Sequence, residues 1–246
     1  MNLSEEKRTL FKIKRLFKEA VDRYRLIEEQ DKIVVGLSGG KDSLALLELL
    51  GERKRILKPV FEVEAAYIRI ANISYESDEQ YMRAMCDRWQ IPFTVLETSF
   101  DASTDSRKSP CFLCSWNRRK QLFLFAKERG CNKIALGHHQ DDILETLLMN
   151  MTFQGAMGTM PPLLKMNKFD MTIIRPMCLV PEKMLAEMAH IRDYRPQIKH
   201  CPYENDSHRH SMKEVVRLLE SMNPQVRSSL WASMSNVQNE YLPPKL

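Results

Sequence analysis

Hydrophobic positions along the chain alternate between short apolar runs and longer stretches with apolar residues three and four apart. The short runs predict five strands, over Lys32–Leu37, Phe61–Ile68, Pro92–Glu97, Lys133–Leu136 and Met171–Ile174. The longer stretches predict helices, beginning with an amphipathic helix from Ser4 to about Glu29. Strands that alternate with helices are typical of an α/β fold. We therefore expect a doubly wound parallel sheet of about five strands, with an N-terminal helix and a C-terminal helical extension.

The same pattern suggests how the chain divides. Residues 1–30 form the predicted N-terminal helix, residues 31–180 the sheet domain, and residues 181–246 the helical extension. Helices are predicted there over Pro181 to about Asp193, Ser211–Met222 and Pro224–Val237. A chain of 246 residues is long enough for one α/β domain with such extensions.

A glycine turn joins the first predicted strand to the helix that starts near Ser43. Its residues are Ser38, Gly39, Gly40, Lys41, Asp42 and Ser43. Glycines let the backbone turn tightly and approach a ligand, and the N–H groups and dipole of a helix N-terminus favour an anion. This stretch therefore predicts an anion site.

The spacing of the turn distinguishes it from a Walker loop. Gly36 and Gly40 have three residues between them instead of four, and Asp42 follows Lys41 where Ser or Thr would bind magnesium. A carboxylate in the first helical turn repels bare phosphate, so we expect Mg²⁺ and a polyphosphate. The loop resembles that of the N-type ATP pyrophosphatases, which split ATP between its α and β phosphates. The alternative is a solvated glycine turn capped by Ser38.

A second glycine turn follows the fourth predicted strand. Gly137, His138 and His139 precede a helix whose first turn carries Asp141 and Asp142. In a doubly wound sheet, ligands bind beyond the carboxyl ends of the strands. We expect Gly137 and His138 at the nucleotide, and His138 and His139 are equally compatible with being satisfied within the turn. We expect Asp142 on Mg²⁺ or the reacting phosphate, although two acids at a helix start also serve as capping residues. By the same rule, the end of the second strand at Ile68 is the expected place for adenine.

Cysteines supply the other candidate chemistry. Cys111 and Cys114 form a Cys-x-x-Cys pair at a predicted helix start, where thiolates are favoured. The pair alone is compatible with zinc, an iron–sulfur cluster, a redox pair or coincidence. Cys201 is a possible third ligand, and three cysteines leave one iron of a cubane open for sulfide. Three other cysteines, at positions 86, 131 and 178, are predicted to be packed thiols.

Charge and composition restrict the expected partners and cellular location. There are 37 Lys and Arg against 32 Asp and Glu, a net charge of +5, which is compatible with an acidic partner. No run is long enough to span a membrane and no signal peptide opens the chain, so we expect no membrane partner. Six cysteines with one Cys-x-x-Cys pair favour a reducing, cytoplasmic location.

Taken in order, the motifs resemble the tRNA 2-thiocytidine synthetase family. They are Ser38–Ser43, then Pro110–Ser115 with Arg118 and Arg119, then Ala135–Thr146, then Met160–Pro162 and Ile174–Pro176. The resemblance implies an adenine nucleotide alpha hydrolase-like fold with ATP, Mg²⁺ and a 4Fe–4S cluster as cofactors. It also implies adenylation of C2 of a cytidine in the tRNA anticodon loop, followed by replacement of the oxygen by sulfur.

The resemblance also assigns residues and partners. The cluster ligands would be Cys111, Cys114 and Cys201, and the catalytic residues Lys41, Asp42, Asp142, Cys111 and Cys114. Partners would be tRNA, ATP and a sulfur donor such as a cysteine desulfurase, with a homodimer possible. The family often has a second cysteine and a Gly-Ser-Gln near its third ligand, whereas Cys201 is followed here by Pro202-Tyr203-Glu204.

Two other functions fit parts of the pattern. One is an adenylating enzyme of the 2-thiouridine or lysidine type; the three cysteines argue against an amine nucleophile. The other is a non-catalytic nucleotide- or metal-binding module, which is disfavoured because Lys41, Asp42 and Asp142 are all present.

Overall fold

The computed structural model describes residues 3–72, 75–76, 78–101, 103, 109–167, 170–196, 198–199 and 209–243. Within these residues there are eight strands, β1 (Lys32–Gly36), β2 (Glu62–Ile70), β3 (Tyr75–Glu76), β4 (Phe93–Thr98), β5 (Lys133–Ala135), β6 (Leu163–Lys165), β7 (Thr172–Ile174) and β8 (Ile198–Lys199). The helices there are α1 (Leu3–Arg23), α2 (Lys41–Lys54), α3 (Glu79–Arg88), α4 (Pro110–Glu128), α5 (Gln140–Gln154), α6 (Glu182–Ile191), α7 (Arg209–Met222) and α8 (Val226–Ser233).

Six strands form one sheet in the order β4-β2-β1-β5-β7-β6. All neighbouring pairs are parallel except β6 with β7. The predicted doubly wound α/β fold is confirmed, and the five predicted strands are β1, β2, β4, β5 and β7. The antiparallel edge strand β6 was not predicted, because three residues after a proline-rich loop leave no recognisable alternation.

The crossovers explain why both faces of the sheet are covered. The connections through α2 and α3 move from β1 towards β4, whereas the connection through α4 moves back to β5. Right-handed crossovers in opposite directions place their helices on opposite faces. Leu122, Phe125 and Ala126 of α4 pack on Val34 and Ala66, and β1 is accordingly apolar on both sides.

Local signals set the helix limits. The first helix ends at Arg23, six residues before the predicted limit, and Arg25 has a φ of 51°. Ser109 caps α4 by accepting a hydrogen bond from the Phe112 N–H, and Pro110 occupies the first turn. The last long helix, α8, ends at Ser233 instead of the predicted Val237.

The chain forms two compact units. The sheet unit contains residues 1–140 and 161–206, and the helical unit contains residues 141–160 and 207–246. The sheet unit has its own core below α4, and the helical unit includes most of α5 with α7 and α8. The division predicted from the sequence, at residues 30 and 180, stays a prediction.

Candidate active site

The first glycine turn has the backbone geometry of an anion-binding loop. Gly39 has a φ of +82°, a conformation that favours glycine. The Ser43 hydroxyl accepts a hydrogen bond from the Ser38 N–H (3.1 Å) and donates one to the Gly40 carbonyl (2.9 Å). These bonds fix the loop before α2 begins at Lys41 and leave the first turn of α2 to present its N–H groups beyond the sheet edge.

Two carboxylates hold the Lys41 ammonium. Its Nζ atom lies 3.0 Å from Asp42 Oδ1 and 3.5 Å from Glu182 Oε1. Partial burial lowers the pKa of Lys41, but Asp42 and Glu182 more than offset this, so the pKa is raised above its ordinary value of 10.5. Lys41 is therefore a fixed cation beside the loop.

Glu182 is a site residue that the sequence did not predict. It is the first residue of α6, after Pro181 at the N-cap, and the segment that precedes it begins at the end of β7. The motif Ile174–Pro176 marks the end of that strand, but nothing in a single sequence shows that the next helix starts beside the first glycine turn. Only the strand order brings Glu182 to Lys41.

The second glycine turn touches the first turn of α2. A Cβ atom on Gly137 would lie 3.2 Å from the Asp42 carbonyl carbon and 3.3 Å from the Ser43 nitrogen. Contacts this short require the α2 backbone to move by a few tenths of an ångström, so glycine favours this close approach. Gly137 is predicted to bind the nucleotide, and its close packing against α2 is a second reason for a glycine at this position.

His138 is oriented by a buried arginine. The Arg175 Nε atom donates to His138 Nδ1 at 3.3 Å, and Arg175 Nη1 donates to the Pro161 carbonyl at 2.6 Å. An arginine only donates, so Nδ1 is the accepting nitrogen of His138 and Nε2 is the nitrogen that can donate. The contact with Arg175 therefore fixes the orientation of the His138 ring.

The backbone of Ile68 lies beyond the end of β1. Gly36, the last residue of β1, pairs with Ala66, and the Leu37 N–H donates to the Ala66 carbonyl at 2.9 Å. Alternate residues of a strand direct their N–H and C=O groups to the same side, so those of Ile68 also face the β1 side, past its end. The Ile68 side chain itself is in the core with Val34 and Phe125.

Cys111 and Cys114 occupy the first turn of α4. Cys111 is exposed, whereas Cys114 is buried against Ile70 and Phe100. Ile70 is the last residue of β2, so the two thiols lie at the carboxyl end of that strand. Two thiols of one helical turn at a helix N-terminus suit a thiolate metal or cluster site.

Cys201, the predicted third ligand, lies outside the described residues. The closest described residues before it, Ile198 and Lys199, pair with Glu76 and Tyr75. No group of three His, Cys, Asp or Glu side chains suited to a metal ion occurs among the residues that the structure describes. The cluster ligand set therefore stays a prediction.

In the helical unit, the two acids at the start of α5 differ. Asp141 is buried, and its Oδ1 atom forms an ion pair with Arg227 Nη1 at 2.8 Å. Arg227 also pairs with Glu220. Asp142 is half-buried. Asp141 therefore stabilises the packing of this unit. Asp142 stays the residue predicted to act on Mg²⁺ or phosphate.

The other three cysteines are packed thiols. Cys86 and Cys178 are fully buried, and Cys131 is 7% exposed. Burial raises the pKa of Cys86 and of Cys178 to about 12, and that of Cys131 to about 11. Buried, neutral thiols of this kind are poor ligands and poor nucleophiles.

Comparison with known proteins identifies the family. A PP-loop domain family matches residues 6–212. The tRNA-cytidine(32) 2-sulfurtransferase of Syntrophotalea carbinolica is 36% identical over 241 residues, 96% of this chain and 93% of the relative. The chain belongs to the tRNA-cytidine(32) 2-sulfurtransferase family of PP-loop proteins. A second member, from Citrifermentans bemidjiense, is 33% identical over 94% of this chain and 92% of its own length.

A solved structure agrees with the fold. The U34-tRNA thiolase of Methanococcus maripaludis, determined with its 4Fe–4S cluster, superposes with a TM-score of 0.78 at 24% sequence identity. The match covers 97% of this chain and 84% of the thiolase. The predicted family resemblance and the predicted adenine nucleotide alpha hydrolase-like fold are both confirmed.

None of the described helices combines the length and the apolarity needed to cross a bilayer.

Proposed function

We propose that the protein is an ATP-dependent tRNA sulfurtransferase that adenylates C2 of cytidine 32 and replaces its oxygen by sulfur. The observation that carries the proposal is the loop at Ser38–Ser43 with its paired Lys41, in a chain whose relatives share this activity by name. The position of the cytidine rests on the relatives' name.

The loop residues bind and activate ATP in this proposal. The α2 N–H groups and Lys41 stabilise the negative charge that develops as the C2 oxygen attacks the α-phosphorus and pyrophosphate leaves. The Ile68 main chain faces adenine, and His138 donates a hydrogen bond to phosphate through Nε2–H. Asp42 would hold Mg²⁺, which supplies further charge neutralisation, and Asp142 keeps its predicted role on Mg²⁺ or the reacting phosphate.

In this proposal the three cysteines bind the cluster that carries out the sulfur chemistry. Cys111 and Cys114 fit two thiolate ligands of a 4Fe–4S cluster, since both lie at the N-terminus of α4 and belong to one helical turn. With Cys201 as the third ligand, the bound cluster supplies an iron that no protein ligand occupies, able to carry the sulfur atom. A sulfur donor such as a cysteine desulfurase, a cytoplasmic location and a possible homodimer complete the proposal.

The experiment is an anaerobic thiolation assay with iron-reconstituted protein, ATP, Mg²⁺, sulfide and tRNA. We expect AMP, pyrophosphate and 2-thiocytidine in digested tRNA, and no product from tRNA with uridine at position 32 or from the Lys41→Ala variant. Thiolation by iron-free protein would refute the proposal that the reaction requires the cluster. Pyrophosphate release without any thiolated cytidine would refute the proposed reaction.

A further inference from the structure

Two rows of side chains lie next to each other on the exposed side of α4. One row is Cys111, Ser115 and Arg119, and the other is Phe112, Trp116, Lys120 and Leu124. Residues four apart stack along one line of a helix. Both rows begin in the first turn, so the exposed Cys111 thiol and the Phe112 ring start side by side. We name the surface of Phe112, Trp116, Arg119 and Lys120 the α4 platform.

The two aromatic rings are on the outside although burial would stabilise them. Phe112 is 43% exposed and Trp116 is 48% exposed. Removing a large apolar side chain from water contributes roughly 1.5–3 kcal/mol, and neighbouring exposed apolar side chains mark interaction sites more often than isolated ones do. The opposite side of α4 already fills the core through Leu122 and Phe125, so the helix does not need these rings for packing.

The charge around the rings is positive. Lys120 Nζ lies 5.3 Å from the centre of the Trp116 ring, and Arg119 is exposed one residue earlier. The sequence from Pro110 to Lys127 contains no Asp or Glu. Aromatic faces interleaved with cations complement a strand that carries bases and phosphates.

We propose that the α4 platform binds the unpaired loop of the RNA substrate, with bases stacked on Phe112 and Trp116 and phosphates paired with Arg119 and Lys120. This inference rests on the proposed tRNA function and deepens it. The two rings are about 6 Å apart along the helix, which suits two splayed bases, one on each ring. Because Cys111 is in the same turn as Phe112, the bound loop lies beside the thiols.

A protein partner is the other class of molecule that such a surface could bind, for example a sulfur-carrying protein with an acidic patch. Single-stranded RNA is favoured because the platform offers two flat rings with two cations next to the second ring. An RNA loop presents flat bases and a continuous line of phosphates, whereas a protein patch rarely presents both.

The test measures the binding of a labelled anticodon stem-loop RNA to the full-length protein at fixed salt. We expect Phe112→Ala and Trp116→Ala each to raise the dissociation constant by about 5- to 100-fold, the range expected for the loss of one base–aromatic stack. Trp116→Phe keeps a flat ring and should recover most of the affinity. Leu124→Ala, in the same row and equally exposed, is the matched control and should leave binding unchanged.

Each outcome decides the question. Unchanged RNA affinity in both alanine variants, with normal ATP binding, overturns the proposal that the α4 platform binds RNA. A loss of thiolation with a protein sulfur donor but not with free sulfide, at unchanged RNA affinity, also overturns it and assigns the surface to a protein. The binding series tests the platform and the thiolation assay tests the reaction, so the two proposals fail separately.

Discussion

The Lys41 side chain shows how one residue of the site is fixed before any ligand arrives. It is held between Asp42 and Glu182, and its raised pKa keeps it cationic through the neutral range. A pKa above the unfolded value means that this ion pairing contributes to stability below about pH 10.5 and is lost as the pH rises through the folded pKa. A positioned cation does not have to be reorganised during phosphoryl chemistry.

We predict that Glu182→Gln lowers kcat for tRNA-dependent pyrophosphate release about 10-fold without raising the KM for ATP. The substitution removes one of the groups that orient Lys41, whereas the loss of a negative charge does not weaken binding of a polyphosphate. Steady-state kinetics over a range of ATP concentrations measures both constants.

Glu187→Gln is the control for Glu182→Gln. Glu187 is in the same helix, and its Oε2 atom accepts a hydrogen bond from Thr9 Oγ1 at 3.2 Å. We expect wild-type kinetics from this variant. A raised KM at unchanged kcat in Glu182→Gln would contradict the positioning of Lys41.

Thiol chemistry gives a second prediction at this scale. With cluster-free, reduced protein at pH 8, alkylation should label the exposed Cys111 first and spare Cys86, Cys131 and Cys178 in the folded state. Their raised pKa values of about 11 to 12 keep these three thiols neutral and burial shields them. Peptide mass spectrometry at increasing times gives the order, and labelling of Cys178 before Cys111 would contradict it.

At the scale of elements, the site depends on how closely neighbouring connections approach. The turn after β5 lies on the first turn of α2 at Gly137, and the connection from β7 to α6 meets both turns, through Arg175 with His138 and through Glu182 with Lys41. Each contact joins segments that are far apart in sequence but follow β1, β5 or β7, which are three successive strands of the sheet.

We predict that Gly137→Ala destabilises the protein by about 1–3 kcal/mol, the usual cost of an overpacked contact, and lowers ATP-dependent activity. The added Cβ atom displaces the Asp42 and Ser43 backbone. Chemical denaturation and pyrophosphate release measure the two effects.

Gly158→Ala is the matched control, because a Cβ atom there meets no described atom within 4 Å. We expect its stability to stay within about 0.5 kcal/mol of the wild type. Equal stability of the two variants would contradict the tight approach at Gly137.

A buried polar group ties α2 to the end of α6. Glu48 is 2% exposed, and its two carboxylate oxygens accept hydrogen bonds from Arg192 Nε at 2.7 Å and from the Tyr194 hydroxyl at 2.8 Å. Burial and the Glu48 carboxylate raise the pKa of Tyr194, so its hydroxyl stays a donor. The contact holds α2, the helix that follows the nucleotide loop.

We predict that Glu48→Ala lowers the free energy of unfolding by about 1–3 kcal/mol, because it leaves a half-buried arginine and a buried hydroxyl without their acceptor. Glu62→Ala, an exposed glutamate on β2, is the control and should cost about 1 kcal/mol or less. Urea unfolding, monitored by circular dichroism, compares the two variants. A small loss in Glu48→Ala would show that the tie is dispensable.

For the whole molecule, the proposed cluster requires cysteines from distant parts of the sequence. Cys111 and Cys114 lie at the carboxyl end of β2, and Lys199, two residues before Cys201 in the sequence, pairs with Tyr75 shortly after the same strand. The proposal that Cys201 completes the ligand set is tested by its removal.

We predict that Cys201→Ser reduces the iron bound after anaerobic reconstitution to near the level of Cys111→Ser and abolishes 2-thiocytidine formation. ATP binding should be retained, since the nucleotide loop is a separate part of the sheet edge. Cys131→Ala, a packed cysteine away from the pair, is the control and should bind wild-type amounts of iron. Full iron content in Cys201→Ser would refute this ligand.

The sequence by itself determined the features that depend on neighbouring residues. Strand–turn–helix order, the loop at Ser38–Ser43 and the Cys111–Cys114 pair are local, because apolar period, glycine content and helix capping act over a few residues. These signals, with the resemblance of the ordered motifs, sufficed for the fold class and the family.

The tertiary structure alone decided which distant groups meet. Glu182 reaches Lys41, Arg175 orients His138, and Gly137 contacts Asp42 only because β1, β5 and β7 are neighbours in the sheet. Helix and turn signals carry no information about strand order, so a single sequence does not specify these pairs. Similarly, the pattern of α4 indicated a helix, but packing of its other face on the sheet decided that Phe112 and Trp116 are exposed.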